Sequence, residues 1–181
     1  GNLRDISSAF EGKIPISLLK RNARDILSGL AYLHRNNIVH CDVKPDNVLV
    51  ATDGVCKLCD FGSALSAQAS FASSLTQLRG TAAYMAPEVC RGGSPQPRSD
   101  VWSFGITLLE LATTKKLWPE LGTSVIAASK FIDKVGSNDK MVPNIPVHLD
   151  PELSSVIGLC LQRDIEKRPT VMQLLSSPLF L

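Results

Sequence analysis

The spacing of hydrophobic residues along the chain predicts a largely helical structure. Five apolar residues recur at steps of four and three positions, which places them on one face of a helix over about Ser17–Arg35: Leu19, Ala23, Ile26, Leu30 and Leu33. A second long helix is predicted over Ser99–Thr114, and because it is apolar on most sides we expect it at the centre of the core. Shorter helical patterns follow at Ser124–Val135, Pro151–Gln162 and Val171–Ser176.

One β-hairpin is predicted between the two long helices. Short apolar runs at Val48–Ala51 and Val55–Cys59 flank the dipeptide Asp53-Gly54, which is typical of tight turns. The Ser/Ala-rich run from Ser63 to Ser74 is expected to be a loop. The predicted fold class is therefore mainly α with a small β-hairpin, and the chain contains no internal repeat.

The composition is that of a folded domain. With 44% hydrophobic and 20% charged residues among 181, the chain can bury a core. Its net charge is +2, from 19 basic and 17 acidic residues, and the scattered basic residues disfavour nucleic acid as a partner. No apolar run reaches the roughly 18 residues that cross a bilayer, and the polar N-terminus lacks signal-peptide features, so no membrane partner is expected.

The cysteines indicate a reducing compartment. Five cysteines without regular spacing are typical of free thiols, which predicts a cytoplasmic or nuclear location. Cys56 and Cys59 form a C-x-x-C pattern that can signal zinc or redox chemistry. Side chains three positions apart on a strand point to opposite faces, which disfavours both uses. The chain begins with Gly1 rather than Met, so we expect a processed protein or a fragment.

Four polar residues near the ends of the hairpin could carry chemistry. Asp42 and Asn47 precede the first strand and Asp60 follows the second, so Asn47 and Asp60 are expected to be neighbours. An amide oxygen and a carboxylate at this point can hold Mg²⁺ bridged to phosphates. Asp42 could accept a proton from an attacking hydroxyl, and Lys44 could face the charge of a phosphate. The alternative is that these are ordinary loop and turn residues.

The same residues lie in motifs that resemble those of protein kinases. Six segments match in the order of the family: HCDVKPDN at 40–47, DFG at 60–62, Gly80-Thr81 before Tyr84, APE at 86–88, DVWSFG at 100–105 and Arg168-Pro169. The chain thus resembles the large C-terminal lobe of a eukaryotic-type serine/threonine protein kinase domain. The resemblance extends over residues 1–181, with an activation segment at 60–88, and the motifs look like those of MAP kinase cascade kinases.

The resemblance implies roles for the residues that match. Asp42 would be the catalytic base and Lys44 the lysine that contacts the transferred phosphate, while Thr81 would bond to both. Asn47 and Asp60 would bind Mg²⁺ and so help to bind ATP.

Further roles follow from the same resemblance. Asp46 would lie near the ribose of ATP, and Leu49 beneath the adenine. Asp100 is expected to hold the catalytic loop, which is the segment 40–47, through its backbone amides. Glu88 and Arg168 are expected to form a buried ion pair. His40 could be a general base, but a packed core histidine is the favoured interpretation.

The implied activity is transfer of the γ-phosphoryl group of ATP, with Mg²⁺, to a protein Ser/Thr hydroxyl. An upstream kinase could act on the loop Ser63–Thr81, where Ser70 and Ser74 are spaced as in MAP kinase kinases, although a merely flexible serine-rich loop is an equal alternative. Cys41 stands where many kinases have an arginine that pairs with a loop phosphate, which a cysteine cannot do.

The sequence contains neither a glycine-rich phosphate loop nor a V-A-I-K lysine. We therefore expect a partial domain that lacks the small N-terminal lobe and is inactive alone. A non-catalytic pseudokinase or protein-interaction module is the main alternative. A small-molecule kinase is less favoured, because Gly80-Thr81 and the APE motif serve protein substrates.

Overall fold

A computed structural model describes residues 1–10, 14–66, 82–115, 117–118, 121 and 124–180. Within these ranges the chain folds mainly into α-helices, which are α1 Leu3–Ala9, α2 Ile16–Arg35, α3 Pro87–Cys90, α4 Pro97–Thr113, α5 Val125–Ser137, α6 Pro151–Cys160 and α7 Val171–Leu175. Four short strands accompany them: β1 Ile38–Val39, β2 Val48–Val50, β3 Cys56–Leu58 and β4 Leu65–Ser66. The predicted mainly α fold class is confirmed. No described helix is both long and apolar enough to span a bilayer.

Helix α4 forms the centre of the core, as its apolar pattern predicts. Every residue from 99 to 109 is buried. Helix α6 approaches α4 closely at Gly105, because a Cβ at this position would lie 2.6 Å from the Cβ of Cys160 in α6. Any larger residue at 105 would therefore force α4 and α6 apart. The helix ends at Thr113, followed by Thr114 in a left-handed conformation at φ 52°.

Helix α2 packs its predicted apolar face into the same core. The five residues of the four-three pattern are all buried. Pro15 precedes the first turn, and the chain leaves the helix through Asn37, which has a positive φ of 57°. This turn delivers the chain directly into β1 and the loop that follows it, so α2 fixes where that loop begins.

Two small antiparallel sheets lie beside the helices. Strands β2 and β3 form the predicted hairpin, with Val48 opposite Leu58 and a turn at Gly54, whose φ is 79°. Strands β1 and β4 pair as well, with Ile38 opposite Ser66, and this second sheet was not predicted. Strands of two residues are too short to show an alternating pattern. The second sheet brings the two ends of the segment 38–66 together.

Candidate active site

Asp42 is the centre of the candidate site. It lies between β1 and a 3-10 turn at Pro45–Asn47, and its side chain is buried. Its Oδ2 accepts hydrogen bonds from Lys44 Nζ at 2.6 Å and from Asn47 Nδ2 at 2.7 Å. Its Oδ1 is also buried but has no hydrogen-bond partner among the described residues. One oxygen of the carboxylate is therefore held by two hydrogen bonds, whereas the other makes none within the described residues.

Asp100, at the start of α4, holds the loop from behind, as the kinase resemblance predicts. Its Oδ2 accepts from the backbone amide of His40 at 2.9 Å, and its Oδ1 accepts from the amide of Cys41 at 2.9 Å. His34 Nε2 lies 2.8 Å from Oδ2. Cys41 has a positive φ of 66°, which turns the two successive amides toward the same carboxylate. The expected role of Asp100 is confirmed by these contacts.

His40 is a packed histidine rather than an exposed acid or base. It is fully buried, and its ring lies 5.3 Å from that of Phe61. The backbone amide of Asp42 donates to its Nδ1 at 3.3 Å, and its Nε2 lies 3.1 Å from the carbonyl oxygen of Cys59. Both contacts fit the neutral tautomer with the proton on Nε2. The ring thus links the loop before the hairpin to the segment after it.

The hairpin brings Asn47 and Asp60 close to each other, as the sequence predicts. The amide of Cys59 donates to the carbonyl oxygen of Asn47 at 3.0 Å, so Asp60 follows directly beyond this pair. Asp60 has a positive φ of 60° and an exposed carboxylate, whose Oδ1 accepts from the amide of Gly62 at 3.3 Å.

These two residues have the donor atoms that Mg²⁺ requires. Because the Nδ2 of Asn47 faces Asp42, its amide oxygen is turned away from that carboxylate. An amide oxygen and a carboxylate are hard oxygen ligands, and Mg²⁺ typically takes one or two protein ligands together with phosphate oxygens and waters. The described residues contain no group of three His, Cys, Asp or Glu that could hold a metal by itself. The residues fit a Mg²⁺ site completed by phosphates.

Asp46 and Leu49, which the sequence assigns to nucleotide binding, lie in different surroundings. The two carboxylate oxygens of Asp46 each accept from Arg4 Nε at 2.8 Å. Leu49 is 48% exposed, and its backbone pairs with that of Asn2, next to helix α1. The exposed side of Leu49 is available to a flat apolar ligand, whereas the carboxylate of Asp46 is already engaged.

The polar cluster around Arg4 is not predicted from the sequence. The guanidinium also donates to Glu110 Oε1 at 3.0 Å and to the hydroxyl of Tyr84 at 2.7 Å, and Tyr84 in turn donates to Glu110 Oε2. The one available signal was Glu110, the single charged residue in the apolar-rich stretch from Val101 to Ala112. Nothing in the sequence near position 4 indicates that its partners lie 42, 80 and 106 positions away.

The surroundings shift the pKa of several groups in this region. Burial alone would lower the pKa of Arg4, but hydrogen bonds to Glu110 and Asp46 raise it above its ordinary value. Burial and the nearby charge of Glu110 raise the pKa of Tyr84. Burial, together with the charge of Asp100, raises the pKa of the Cys41 thiol to about 12. At neutral pH, Arg4 is therefore charged while Tyr84 and Cys41 are neutral.

Glu88 and Arg168 form the predicted ion pair behind the site. Two parallel bonds of 2.9 and 3.1 Å join the guanidinium and the carboxylate. Arg168 is fully buried and also donates to the carbonyl oxygens of Arg98 at 2.7 Å and Gln162 at 3.1 Å. Its guanidinium carbon lies 5.3 Å from the centre of the Trp102 ring, which adds a cation–π contact. The pair ties α3, which begins at the APE proline, to the C-terminal part of the chain.

Some candidates lie outside the described residues. Thr81, predicted to bond to Asp42 and Lys44, is among them, as are Ser70 and Ser74, so their roles stay predictions. All five cysteines are free thiols; Cys56 is buried, and Cys59 lies at the mouth of the hairpin.

Comparisons with known proteins agree with this geometry. The family described as "Protein kinase domain" matches residues 1–180. Mitogen-activated protein kinase kinase kinase 17 of Arabidopsis thaliana is 35% identical over 178 residues, which is 98% of this chain and 46% of the relative. Mitogen-activated protein kinase kinase kinase 3 of the same plant is 41% identical over 168 residues, which is 92% of this chain and 26% of the relative.

A mouse relative, mitogen-activated protein kinase kinase kinase 19, is 35% identical over 180 residues, covering 97% of this chain and 13% of its own length. The chain thus spans less than half the length of each of these three relatives. Their names agree with the expected likeness to MAP kinase cascade kinases. This chain belongs to the protein kinase domain family.

Proposed function

We propose that this domain transfers the γ-phosphoryl group of ATP to serine or threonine hydroxyl groups of a protein substrate. The proposal rests on the unequal hydrogen bonding of the two Asp42 carboxylate oxygens. Lys44 and Asn47 hold its Oδ2, while its Oδ1 is buried without a partner in the described part of the chain. A buried acceptor atom without a hydrogen bond is costly, so such an atom is suited to receive a proton during a reaction.

In this proposal Asp42 acts as the base. Its Oδ1 accepts the proton of the substrate hydroxyl while the hydroxyl oxygen forms a bond to the γ-phosphorus and the bond from that phosphorus to the departing ADP oxygen breaks. Lys44 keeps the carboxylate oriented through its 2.6 Å bond and brings a positive charge to the transferred group. Asn47 donates a second hydrogen bond to the same carboxylate oxygen and so further restricts the orientation of the carboxylate.

Asn47 and Asp60 are the residues proposed to hold Mg²⁺, which would neutralise the phosphate charges when bound. The exposed side chain of Leu49 would pack against the adenine. The 181 residues alone are expected to transfer phosphate very slowly or not at all, because this reaction depends on positioning and this sequence has neither the glycine-rich loop nor the strand lysine.

The test is phosphoryl transfer by the protein captured from its native source, with its intact mass measured on the same sample. Asp42→Asn is expected to lower the rate of Ser/Thr peptide phosphorylation about 10²–10⁴-fold, the usual contribution of a general base. Asp133→Asn, on the exposed surface of α5, is the matched control and should keep full activity. Full activity of Asp42→Asn would contradict the proposed role.

A non-catalytic interaction module is the second candidate. It is favoured by Cys41 in place of the usual arginine, and by Asp46, whose carboxylate is already paired with Arg4. Thermal unfolding with and without Mg²⁺–ATP separates the two candidates, because a ligand that binds only the native state raises Tm. An unchanged Tm in the protein from its native source favours the interaction module.

Control by an upstream kinase is part of the proposal. The candidate acceptors are Ser70 and Ser74 in the loop Ser63–Thr81. Cys41 is neutral at physiological pH and offers no positive charge to a loop phosphate, so ordering of the loop would need another cation. Mass mapping of the loop after treatment with an upstream kinase, combined with an activity assay, tests this. Phosphorylation without a gain in activity contradicts the regulatory role.

A further inference from the structure

A cavity of about 280 Å³ lies where α2 ends and where α4 and α7 begin. Its lining contains none of the residues proposed to bind ATP or to transfer phosphate. The volume is just below the roughly 300–1,000 Å³ of small-molecule pockets, so the cavity suits one side chain of a partner better than a cofactor. Most of the lining is apolar: Ala31, Pro97, Val101, Val171 and Met172. The fold therefore contains an apolar recess that the proposed function does not use.

The walls of this cavity are held in place by contacts within the protein. His34, in the lining, has its Nε2 2.8 Å from Oδ2 of the buried Asp100. Arg98, also in the lining, accepts a hydrogen bond at its backbone carbonyl from the buried Arg168, at 2.7 Å. A recess whose walls are already ordered binds a side chain with little further loss of conformational entropy.

Two arginines give the cavity a positive charge. Arg35 is the last residue of α2, and Arg98 is in the first turn of α4. The guanidinium of Arg35 is exposed and makes no hydrogen bond or ion pair within the described residues. Arg98 pairs with Glu166 at 2.9 Å, but the side chain of Glu166 is 77% exposed, and such pairs contribute little. No described carboxylate lines the cavity, so both arginines are available to carboxylates of a partner.

The apolar recess and the two arginines together favour an acidic peptide as the occupant. A large apolar side chain fits the recess, and carboxylates on the neighbouring residues reach the arginines. The two guanidinium groups come from different helices, so a ligand with several carboxylates matches them best. A fatty acid has one carboxylate, whereas a peptide can place one on each side of its apolar residue.

We propose that this cavity is a docking site for an acidic segment of a partner protein, in which one large apolar residue lies between aspartates or glutamates. The apolar side chain packs against Val101, Val171 and Met172, and the flanking carboxylates bind Arg35 and Arg98. The inference goes beyond the proposed function. It holds for either candidate function, because docking requires no phosphoryl transfer.

The test is direct binding, measured by fluorescence anisotropy on the protein as its native gene encodes it. The probe is a short fluorescein-labelled peptide with one leucine between two pairs of aspartates. Replacing the leucine by alanine should weaken binding about tenfold, because burial of the larger side chain is lost. Replacing the aspartates by asparagines should weaken it about fivefold, and added salt should reduce this difference.

Variants of the protein show where the peptide binds. Arg35→Gln should weaken binding of the aspartate peptide about fivefold, and Met172→Glu, which adds a negative charge to the lining, about tenfold. The matched controls are Lys130→Gln and Ile126→Glu, which make the same charge changes on the exposed surface of α5 and should keep the affinity within about twofold. All four positions are exposed, so the variants should fold, and thermal unfolding checks this.

Three outcomes overturn the proposal. The first is that the aspartate peptide does not bind, or binds no more tightly than its alanine and asparagine versions. The second is wild-type affinity in both Arg35→Gln and Met172→Glu. The third is binding of decanoate without binding of the peptide, with the affinity for decanoate lowered in these two variants, which would assign the cavity to a fatty acid.

Discussion

Behind the catalytic loop, the side chain of Asp100 is 1% exposed and bonds to two backbone amides and a histidine ring. In front of it, the carboxylate of Asp60 is exposed and accepts one longer bond, from Gly62 two residues away. Phe61, beside Asp60, is half exposed as well. The carboxylate behind the loop holds its backbone, whereas that of Asp60 makes a single weak contact within the described residues. Substitutions behind the loop should therefore lower stability, and those in front should change binding.

The largest effect is expected for Arg168→Met. This change leaves the carboxylate of Glu88 without its buried partner, which typically costs about 3–5 kcal/mol of unfolding free energy. Urea unfolding followed by circular dichroism measures the loss. Lys167→Met, whose side chain is 72% exposed, is the neighbouring control and should change stability little. Equal stability of the two variants would contradict a structural role for the pair.

A smaller loss is expected for Asp100→Asn. The amide places an N–H group against a backbone N–H of His40 or Cys41, and an unsatisfied buried donor costs about 1–3 kcal/mol. The same unfolding assay measures it, with Asp133→Asn at an exposed site as the control. A loss no greater than that of the control would mean that the loop does not depend on this carboxylate.

The ion pair behind the site also predicts a pH dependence. Burial alone would raise the pKa of Glu88, but the hydrogen bond and charge of Arg168 lower it below 4.5, its ordinary value. A depressed folded pKa gives stability that is present above pH 4.5 and is lost as the pH falls through the lower folded value. Thermal unfolding from pH 6 to pH 2 should show this loss in the wild type and a smaller one in Arg168→Met. Parallel curves would contradict the linkage.

The smallest change in stability is expected for Asp60→Asn, in front of the loop. Within the described ranges its exposed carboxylate makes one 3.3 Å bond, so the free energy of unfolding should change by less than about 0.5 kcal/mol. The rise in Tm caused by Mg²⁺–ATP should nevertheless be lost, because a metal ligand is removed. Asp53→Asn, in the turn of the hairpin, is the control that keeps this rise. A full Tm response in Asp60→Asn contradicts its role as a metal ligand.

The elements behind the catalytic loop were more predictable from sequence than those in front of it. The buried helices have long hydrophobic patterns, and the motifs around Asp42 and Asp100 are continuous in sequence, so these elements were predicted within a few residues. The second sheet was missed because strands of two residues carry no pattern. The Arg4 cluster was missed because its partners come from distant parts of the chain and depend on how α1 packs. The carboxylate of Asp46 therefore has a partner that no local motif indicates.

The bonds from Asp100 also determine how long the catalytic loop keeps its shape. The N–H groups of His40 and Cys41 bond to a side chain carried by α4, the most deeply buried helix of the described core. Neither amide can exchange its hydrogen with solvent until that side chain moves away. We expect both to exchange as slowly as the interior amides of α4, as members of one cooperative unit. A segment without regular secondary structure is thus expected to open only when the helix behind it opens.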